Sequence, residues 1–263
     1  MIRTAVDIRP GDFPQSIKSV LKGADVYDSS CSESARVFYI DRDRGMFLKV
    51  GKEGSLQTEA KMTGYLHSLG LSAKVLEYIS KGGRDFLLTN RIPGEDCTDP
   101  AILSEPEKLC DIIGRELRML HSIDPKDCPV TDRMARYKEN VLCGIAEKKY
   151  EPDLFCGLWE FPGFEQARFA AEEGLPKLKA DVLIHGDYCL PNVILDNGKL
   201  SGFIDLGNSG IGDRHIDVLW GIWTLKYNLK TAKYTDRFID AYGRDAVDPD
   251  MLRAIAAMEM IGD

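Results

Sequence analysis

The sequence lacks any paired-cysteine signature. Its seven cysteines (Cys31, Cys97, Cys110, Cys128, Cys143, Cys156 and Cys189) are odd in number and never spaced C-x-x-C. That excludes a disulfide framework and a C-x-x-C zinc site, and it predicts reduced thiols in a cytoplasmic protein. Long apolar runs are also missing: MIRTAVDIRPGDF has no signal-peptide core, and the greasiest stretch, VLWGIWTL at 218–225, is too short to span a bilayer. No single-sign charge run occurs, although 42 acids against 34 bases give a net charge of −8. Nucleic acid and anionic membrane surfaces are therefore unsuitable partners, and a cationic small molecule suits the chain better. There is no internal repeat, low-complexity tract or long linker. What remains is 263 residues with 44% hydrophobic side chains, enough for one large domain or two packed lobes.

The order of elements predicts two lobes. After a candidate helix in FPQSIKSVLKG, the runs ARVFYI and MFLKVGK flank the polar turn DRDRG, a hairpin signal. A helical stretch, SLQTEAKMTGYLHSLG, precedes a second hairpin, KVLEYIS and FLLTNRI about KGGRD. From Pro93 the texture turns helical, in PEKLCDIIGRELRMLHSI and in most later segments. The exception is DVLIHGDYCLPNVILDNGKLSGFIDLG, whose short β runs flank an Asn197-Gly198 turn. The expected architecture is α+β, with a small antiparallel N-lobe carrying one helix (1–92) and a larger, mainly helical C-lobe (93–263).

Within HGDYCLPN, residues 185–192, Pro191 forbids a continuous helix, so Asp187 and Asn192 lie on backbone that can curl them toward one point. Thirteen residues on, Asp205 follows the apolar run SGFI and precedes Leu206-Gly207. Mg²⁺ takes hard oxygen ligands, and Asn192 and Asp205 supply them. Asp187 is then left to accept a hydroxyl proton, as in the kinase pattern D-x-x-x-x-N followed by D-x-G. Turns carry Asp and Asn for their own reasons, so this motif alone leaves both readings open.

A kinase also needs a strand lysine on the phosphates and a helix glutamate to hold that lysine. Lys49 lies in MFLKV, on the strand face opposite Leu48 and Val50. On the next helix Leu56, Glu59, Thr63 and Leu66 share one stripe, which places Glu59 on the packed face where a carboxylate requires a cation. Lys49 is the nearest candidate. The order strand lysine, helix glutamate, hinge, helices, D-x-x-x-x-N and D-x-G is the plan of a protein-kinase-like two-lobed fold. A glycine-rich phosphate loop is absent: SSCSESARV stands in its place, where Ser32, Ser34 and backbone amides are the candidate phosphate cradle.

With these parts placed, the sequence resembles the aminoglycoside phosphotransferases, and within them the 3′-phosphotransferase (kanamycin kinase) group. The resemblance rests on FLKV with Glu59 downstream, on LHSIDPKDCPV, and on LIHGDYCLPNVILDNGKLSGFIDLG. It implies that Asp187 is catalytic, that Asn192 and Asp205 hold Mg²⁺, that Lys49 with Glu59 positions the phosphates, and that the backbone from Asn90 to Ile92 binds adenine. The implied reaction moves the γ-phosphoryl group of ATP, or of GTP, to an aminoglycoside hydroxyl, the 3′-hydroxyl for this group, and confers resistance. The alternative is a kinase of the same fold acting on another small alcohol, such as a macrolide, an amino sugar or a choline-like metabolite.

For the cationic acceptor the implied contacts are acids. Glu151, Asp153 and Glu160 lie on the loop YEPDLFCGLWEFPGFE, and Glu259 and Asp263 in the tail MEMIGD, which lacks the paired acids and aromatic end usual in the group. The same loop carries Leu154, Phe155, Trp159 and Phe161, so it is equally readable as a lid that packs on the helices. Asn208 and Trp223 stand where the group usually has arginine, which makes Lys226 or Arg214 the expected substitute. His185 is expected to bond loop backbone, and Asp213 and Asp217 to cap or brace the loop after Asp205. The oligomeric state is not legible in the sequence.

Overall fold

The structure, a computed structural model, describes residues 4–8, 11, 13–30 and 35–262. The chain divides into two compact units: Met1–Pro93 with Ser201–Gly207, and Gly94–Leu200 with Asn208–Asp263.

The first unit is built on a six-stranded antiparallel sheet. Its strands are β1 (Thr4–Ala5), β2 (Asp25–Asp28), β3 (Arg36–Asp41), β4 (Met46–Lys52), β5 (Val75–Lys81) and β6 (Arg84–Asn90), in the order β1-β2-β3-β4-β6-β5. Helix α1 (Gln15–Leu21) contributes Ile17 and Leu21 to a core with Val26, Phe38, Ile40, Met46, Leu48, Phe86 and Leu88. Strand alternation decides what each face of β4 carries. Met46 and Leu48 enter that core, and Lys49, paired with Val37 and Leu87, points the other way. Helix α2 (Gln57–Ser68) buries the expected stripe, with Glu59 and Thr63 beside Met62 and Leu66. The return segment 201–207 is tied in by Phe203, whose N–H donates to the Leu71 carbonyl (2.8 Å) and whose carbonyl accepts from Ser72 Oγ (2.8 Å).

In the second unit β7 (Glu95–Asp96) pairs with β9 (Val193–Asp196), and β8 (Val182–Ile184) with β11 (Gly210–Gly212). The Asn197-Gly198 turn that follows β9 has both residues at positive φ, 51° and 75°, the tight hairpin geometry its sequence predicts. Strand β10 (Lys199–Phe203) then carries the chain into the first unit. The helices are α3 (Pro100–Leu103), α4 (Pro106–His121), α5 (Arg133–Glu147), α6 (Phe164–Gly174), α7 (Arg214–Leu229), α8 (Thr235–Tyr242) and α9 (Pro249–Gly262).

Helix α9 has apolar residues around most of its circumference, from Met251 and Leu252 through Ala254–Met258 to Met260 and Ile261, and it is buried among α5, α6 and α7. A side chain at Gly144 of α5 would fall 2.0 Å from the Ile261 carbonyl oxygen, so only glycine lets α5 and α9 approach there. No described helix is long and apolar enough to cross a membrane.

Candidate active site

In the first unit one ammonium faces two carboxylates. Lys49 Nζ lies 2.8 Å from Glu59 Oε2 and 2.8 Å from Asp205 Oδ1. Burial works against the Lys49 charge, but Glu59 and Asp205 more than offset it and hold the ammonium above the ordinary lysine value. Burial, with the like charge of Asp205, pushes Glu59 up against the pull of Lys49. Asp205 itself is half exposed and sits in the left-handed region at φ 58°. That conformation is uncommon outside glycine and is found where a side chain must be aimed. Asn90 fixes the end of β6: its Oδ1 accepts from Lys74 N (2.5 Å) and its Nδ2 donates to the Arg91 carbonyl (2.9 Å). Ile92 is buried. Ser32 and Ser34 lie outside the described residues.

In the second unit Pro191 gives a single 3₁₀ turn, Leu190–Asn192, closed by Asn192 N to the Cys189 carbonyl at 2.9 Å. The curl brings Asn192 onto Asp187, its Nδ2 donating to the Asp187 carbonyl (3.0 Å) and to Asp187 Oδ2 (2.9 Å). With Nδ2 so used, Asn192 keeps its carbonyl oxygen, the atom a hard cation takes, uncommitted to Asp187. Among the described residues no group of three or more His, Cys, Asp or Glu side chains could hold a metal by itself. A hard cation at Asn192 or Asp205 would thus draw most of its ligands from phosphate and water.

The backbone before Asp187 is pinned from α7. Asp217, fully buried, accepts from His185 N (2.7 Å) and Gly186 N (2.7 Å), and from His121 Nε2 (3.0 Å). His121 Nδ1 in turn lies 2.8 Å from the Tyr242 hydroxyl. Gly186 adopts φ 84°, and a Cβ there would fall 2.0 Å from the Asn208 carbonyl oxygen. Tyr188, inaccessible, donates its hydroxyl proton to the Ile113 carbonyl of α4 (2.8 Å). One expectation changes here. Asp217 braces the segment before Asp187, not the loop after Asp205. Asp213 caps α7, accepting from His215 N (3.0 Å), and also takes Lys179 N (2.9 Å). His185 is buried and takes the Asp187 N–H on Nδ1 (3.3 Å), a scaffold contact.

Asp187 opens on a cavity of about 310 Å³, which α5 walls with Arg133, Arg136, Tyr137 and Asn140, α7 with Trp220, and α9 with Glu259. Burial, then the Glu259 carboxylate, pushes the Tyr137 hydroxyl well above its ordinary value. Of the acids expected to meet a cationic acceptor, Glu259 lines this cavity; Glu151, Asp153 and Glu160 are exposed and are not among its lining residues. Glu160 instead accepts from Gly157 N (3.2 Å), and Asp263 lies outside the described residues.

The apolar half of the loop packs as a lid. Phe155 is fully buried with its ring 5.5 Å from Trp220, and Trp223 Nε1 donates to the Leu154 carbonyl (2.8 Å). Lys226 Nζ donates to the Cys156 carbonyl and Arg214 lies beside the Tyr242 hydroxyl, so the first is spent on the loop and the second on α8.

Sequence reasoning missed Arg133, Arg136, Tyr137 and Asn140. They stand at i, i+3, i+4 and i+7 of one helix, a polar stripe that the search for apolar periodicity passed over. It missed Trp220, read there as part of an apolar run, and His121, which stands inside the quoted LHSIDPKDCPV.

Comparison with known proteins adds to this geometry. The model of the phosphotransferase enzyme family matches residues 30–255. A probable aminoglycoside 3′-phosphotransferase of Lactococcus lactis subsp. lactis strain IL1403 is 42% identical over 95% of this chain and 95% of its own. Among solved structures, an aminoglycoside 3′-phosphotransferase of type VIII superposes with a TM-score of 0.74 at 22% identity, covering 95% of each chain. An aminoglycoside phosphotransferase from Streptomyces rimosus, solved with ADP and streptomycin, superposes with a TM-score of 0.70 at 21% identity, over 87% of this chain and 90% of that one.

Proposed function

We propose, from the premise that the chain belongs to the phosphotransferase enzyme family, that it transfers the γ-phosphoryl group of ATP to a hydroxyl of an aminoglycoside, the 3′-hydroxyl in acceptors of the kanamycin and neomycin type, and thereby confers resistance. The observation that carries the reading is Asp187, a carboxylate held by Asn192 on a braced loop and opening on a cavity. The relative that is 42% identical over 95% of the chain supports the acceptor class, and the ADP complex of the Streptomyces rimosus enzyme supports the nucleotide.

Each residue then has a part. Lys49, oriented by Glu59, meets the α- and β-phosphates, and the backbone from Asn90 to Ile92 meets the adenine, with GTP as the competing donor. Asp187 orients the acceptor hydroxyl and receives its proton. Asn192 Oδ1 and the Asp205 carboxylate are the oxygen donors that would hold Mg²⁺, which when bound neutralises phosphate charge. Glu259 presents a carboxylate to the acceptor's ammonium groups, and Glu151, Asp153, Glu160 and Asp263 are the candidate acids for the outlying ones. The reaction suits a cytoplasmic enzyme, where ATP is supplied.

The test is a panel of acceptors incubated with the purified protein, ATP and Mg²⁺, read by mass spectrometry. Kanamycin and neomycin are expected to gain one phosphate. No product from either, with product from a macrolide or a choline-like alcohol, would move the function to another small alcohol.

A further inference from the structure

A buried guanidinium with donors to spare stands in the same cavity as Asp187. Arg133 is 9% exposed, its Nε donates to the Asn208 carbonyl (2.7 Å), and its guanidinium lies 5.2 Å from the centre of the Tyr137 ring. Arg136 beside it pairs with Asp132 at 3.2 Å, whereas Arg133 makes no ion pair with any carboxylate among the described residues. Burial holds its pKa below the ordinary arginine value, and Glu259 attracts it through space; an arginine stays charged even so. With Nε spent on a carbonyl, the Nη1 and Nη2 edge remains, the fork that grips two oxygens of a phosphoryl group or a carboxylate.

The chemistry of the reaction says what fills that fork. The ammonium groups of an aminoglycoside are repelled by Arg133 and Arg136 and attracted by Asp187 and Glu259, all of which line the cavity. The anion that must arrive beside Asp187 during turnover is the phosphoryl group itself.

We propose that Arg133 is a catalytic residue that binds the phosphoryl group as it joins the acceptor oxygen, an inference that rests on the phosphotransferase reading above. In this step the acceptor oxygen forms a bond to the γ-phosphorus. The bond from that phosphorus to the β–γ bridging oxygen breaks, its electron pair leaves on ADP, and the hydroxyl proton passes to Asp187. Two equatorial oxygens of the transferring group accept from Nη1 and Nη2 of Arg133. The charge comes from the start of α5, and Asn208, where the resembling group carries arginine, contributes the carbonyl that aims it.

The experiment compares the full-length protein with R133M and R133K, using kanamycin as acceptor and inorganic phosphate as the probe of the fork. R133M is expected to lose about 100-fold in kcat, the usual effect of removing one donor to a developing charge, with the acceptor KM unchanged. R133K, which keeps the charge without the fork, is expected to fall by about tenfold. Phosphate, with ADP saturating the nucleotide site, is expected to compete with kanamycin and to raise the melting temperature of the parent but not of R133M. A parental kcat with a raised acceptor KM would overturn the proposal, because the arginine would then be touching the acceptor. Equal phosphate protection of parent and variants would overturn it as well. Should R133M fail to fold, R133K carries both readouts, and parental behaviour in both contradicts the assignment. A protein that phosphorylated no aminoglycoside would sink the acceptor reading alone, since phosphate protection needs no acceptor.

Discussion

In the first unit the ammonium of Lys49 sits between the carboxylates of Glu59 and Asp205; in the second, the carboxylate of Asp187 has an amide for a neighbour and a loop pinned through backbone N–H groups by Asp217. Charge held by charge is tolerant of small shifts and sensitive to any change of sign. Charge held by backbone is sensitive to shape, because a hydrogen bond weakens steeply with angle. The difference follows the proposed tasks: a lysine that meets phosphates benefits from an ammonium kept fully charged, and a carboxylate that must take and release a proton is better without a cation paired to it.

That contrast can be broken at each end. The largest effect is expected from Asp187→Asn, which keeps shape and removes the proton acceptor: kcat falls by about 10²–10⁴-fold, with the melting temperature unchanged in a thermal scan. Lys49→Met removes the one cation between two carboxylates. It is expected to abolish most phosphoryl transfer and to cost about 3 kcal/mol in urea unfolding, the lower end for leaving a buried partner unpaired, since Asp205 is half exposed. Asp217→Asn tests the second unit's mode of holding. Asn keeps one acceptor oxygen, so either the bond from Gly186 N or those from His185 N and His121 Nε2 would face an amide N–H and be lost, with an expected loss of about 1.5–3 kcal/mol and a fall in kcat at unchanged KM for ATP.

The smallest effect is a pH dependence of opposite sign in the two units. Asp213 is buried, and although burial itself raises its pKa, His215 and the backbone N–H groups of Lys179 and His215 bring it below the ordinary value of 3.8. The unfolded chain therefore binds this proton more readily than the folded one. The stability Asp213 supplies is present above pH 3.8 and is lost as pH falls through its folded value. Glu59, raised above 4.5 by burial, runs the other way: its contribution is present below pH 4.5 and is lost as pH rises through the folded value. In urea titrations Asp213→Asn, which keeps a capping oxygen and loses the charge, is expected to lose about 1 kcal/mol at neutral pH, the order of the difference between a charge-assisted and a neutral hydrogen bond, and to converge with the parent in acid. Glu59→Gln is expected to diverge from the parent in the reverse sense.

Much of this was legible in the sequence because it is local. Alternation placed Lys49 opposite Leu48, the helical stripe placed Glu59 on the buried face of α2, and Pro191 forced the turn that joins Asp187 to Asn192. What was not legible depends on partners far apart in the chain. His121 and Asp217 are 96 residues apart, and Arg133 finds the Asn208 carbonyl 75 residues away. No periodicity reports such pairings. Lys226 and Arg214 were nearby in sequence, but loop and helix partners took them.

The most direct measurement is the position of the new phosphate on kanamycin after reaction with ATP, read by phosphorus–proton correlation in nuclear magnetic resonance. A single phosphate monoester on the 3′-oxygen is expected, formed by the parent and not by Asp187→Asn. Kanamycin recovered unmodified from the parent, or phosphorylated equally by both proteins, would contradict it.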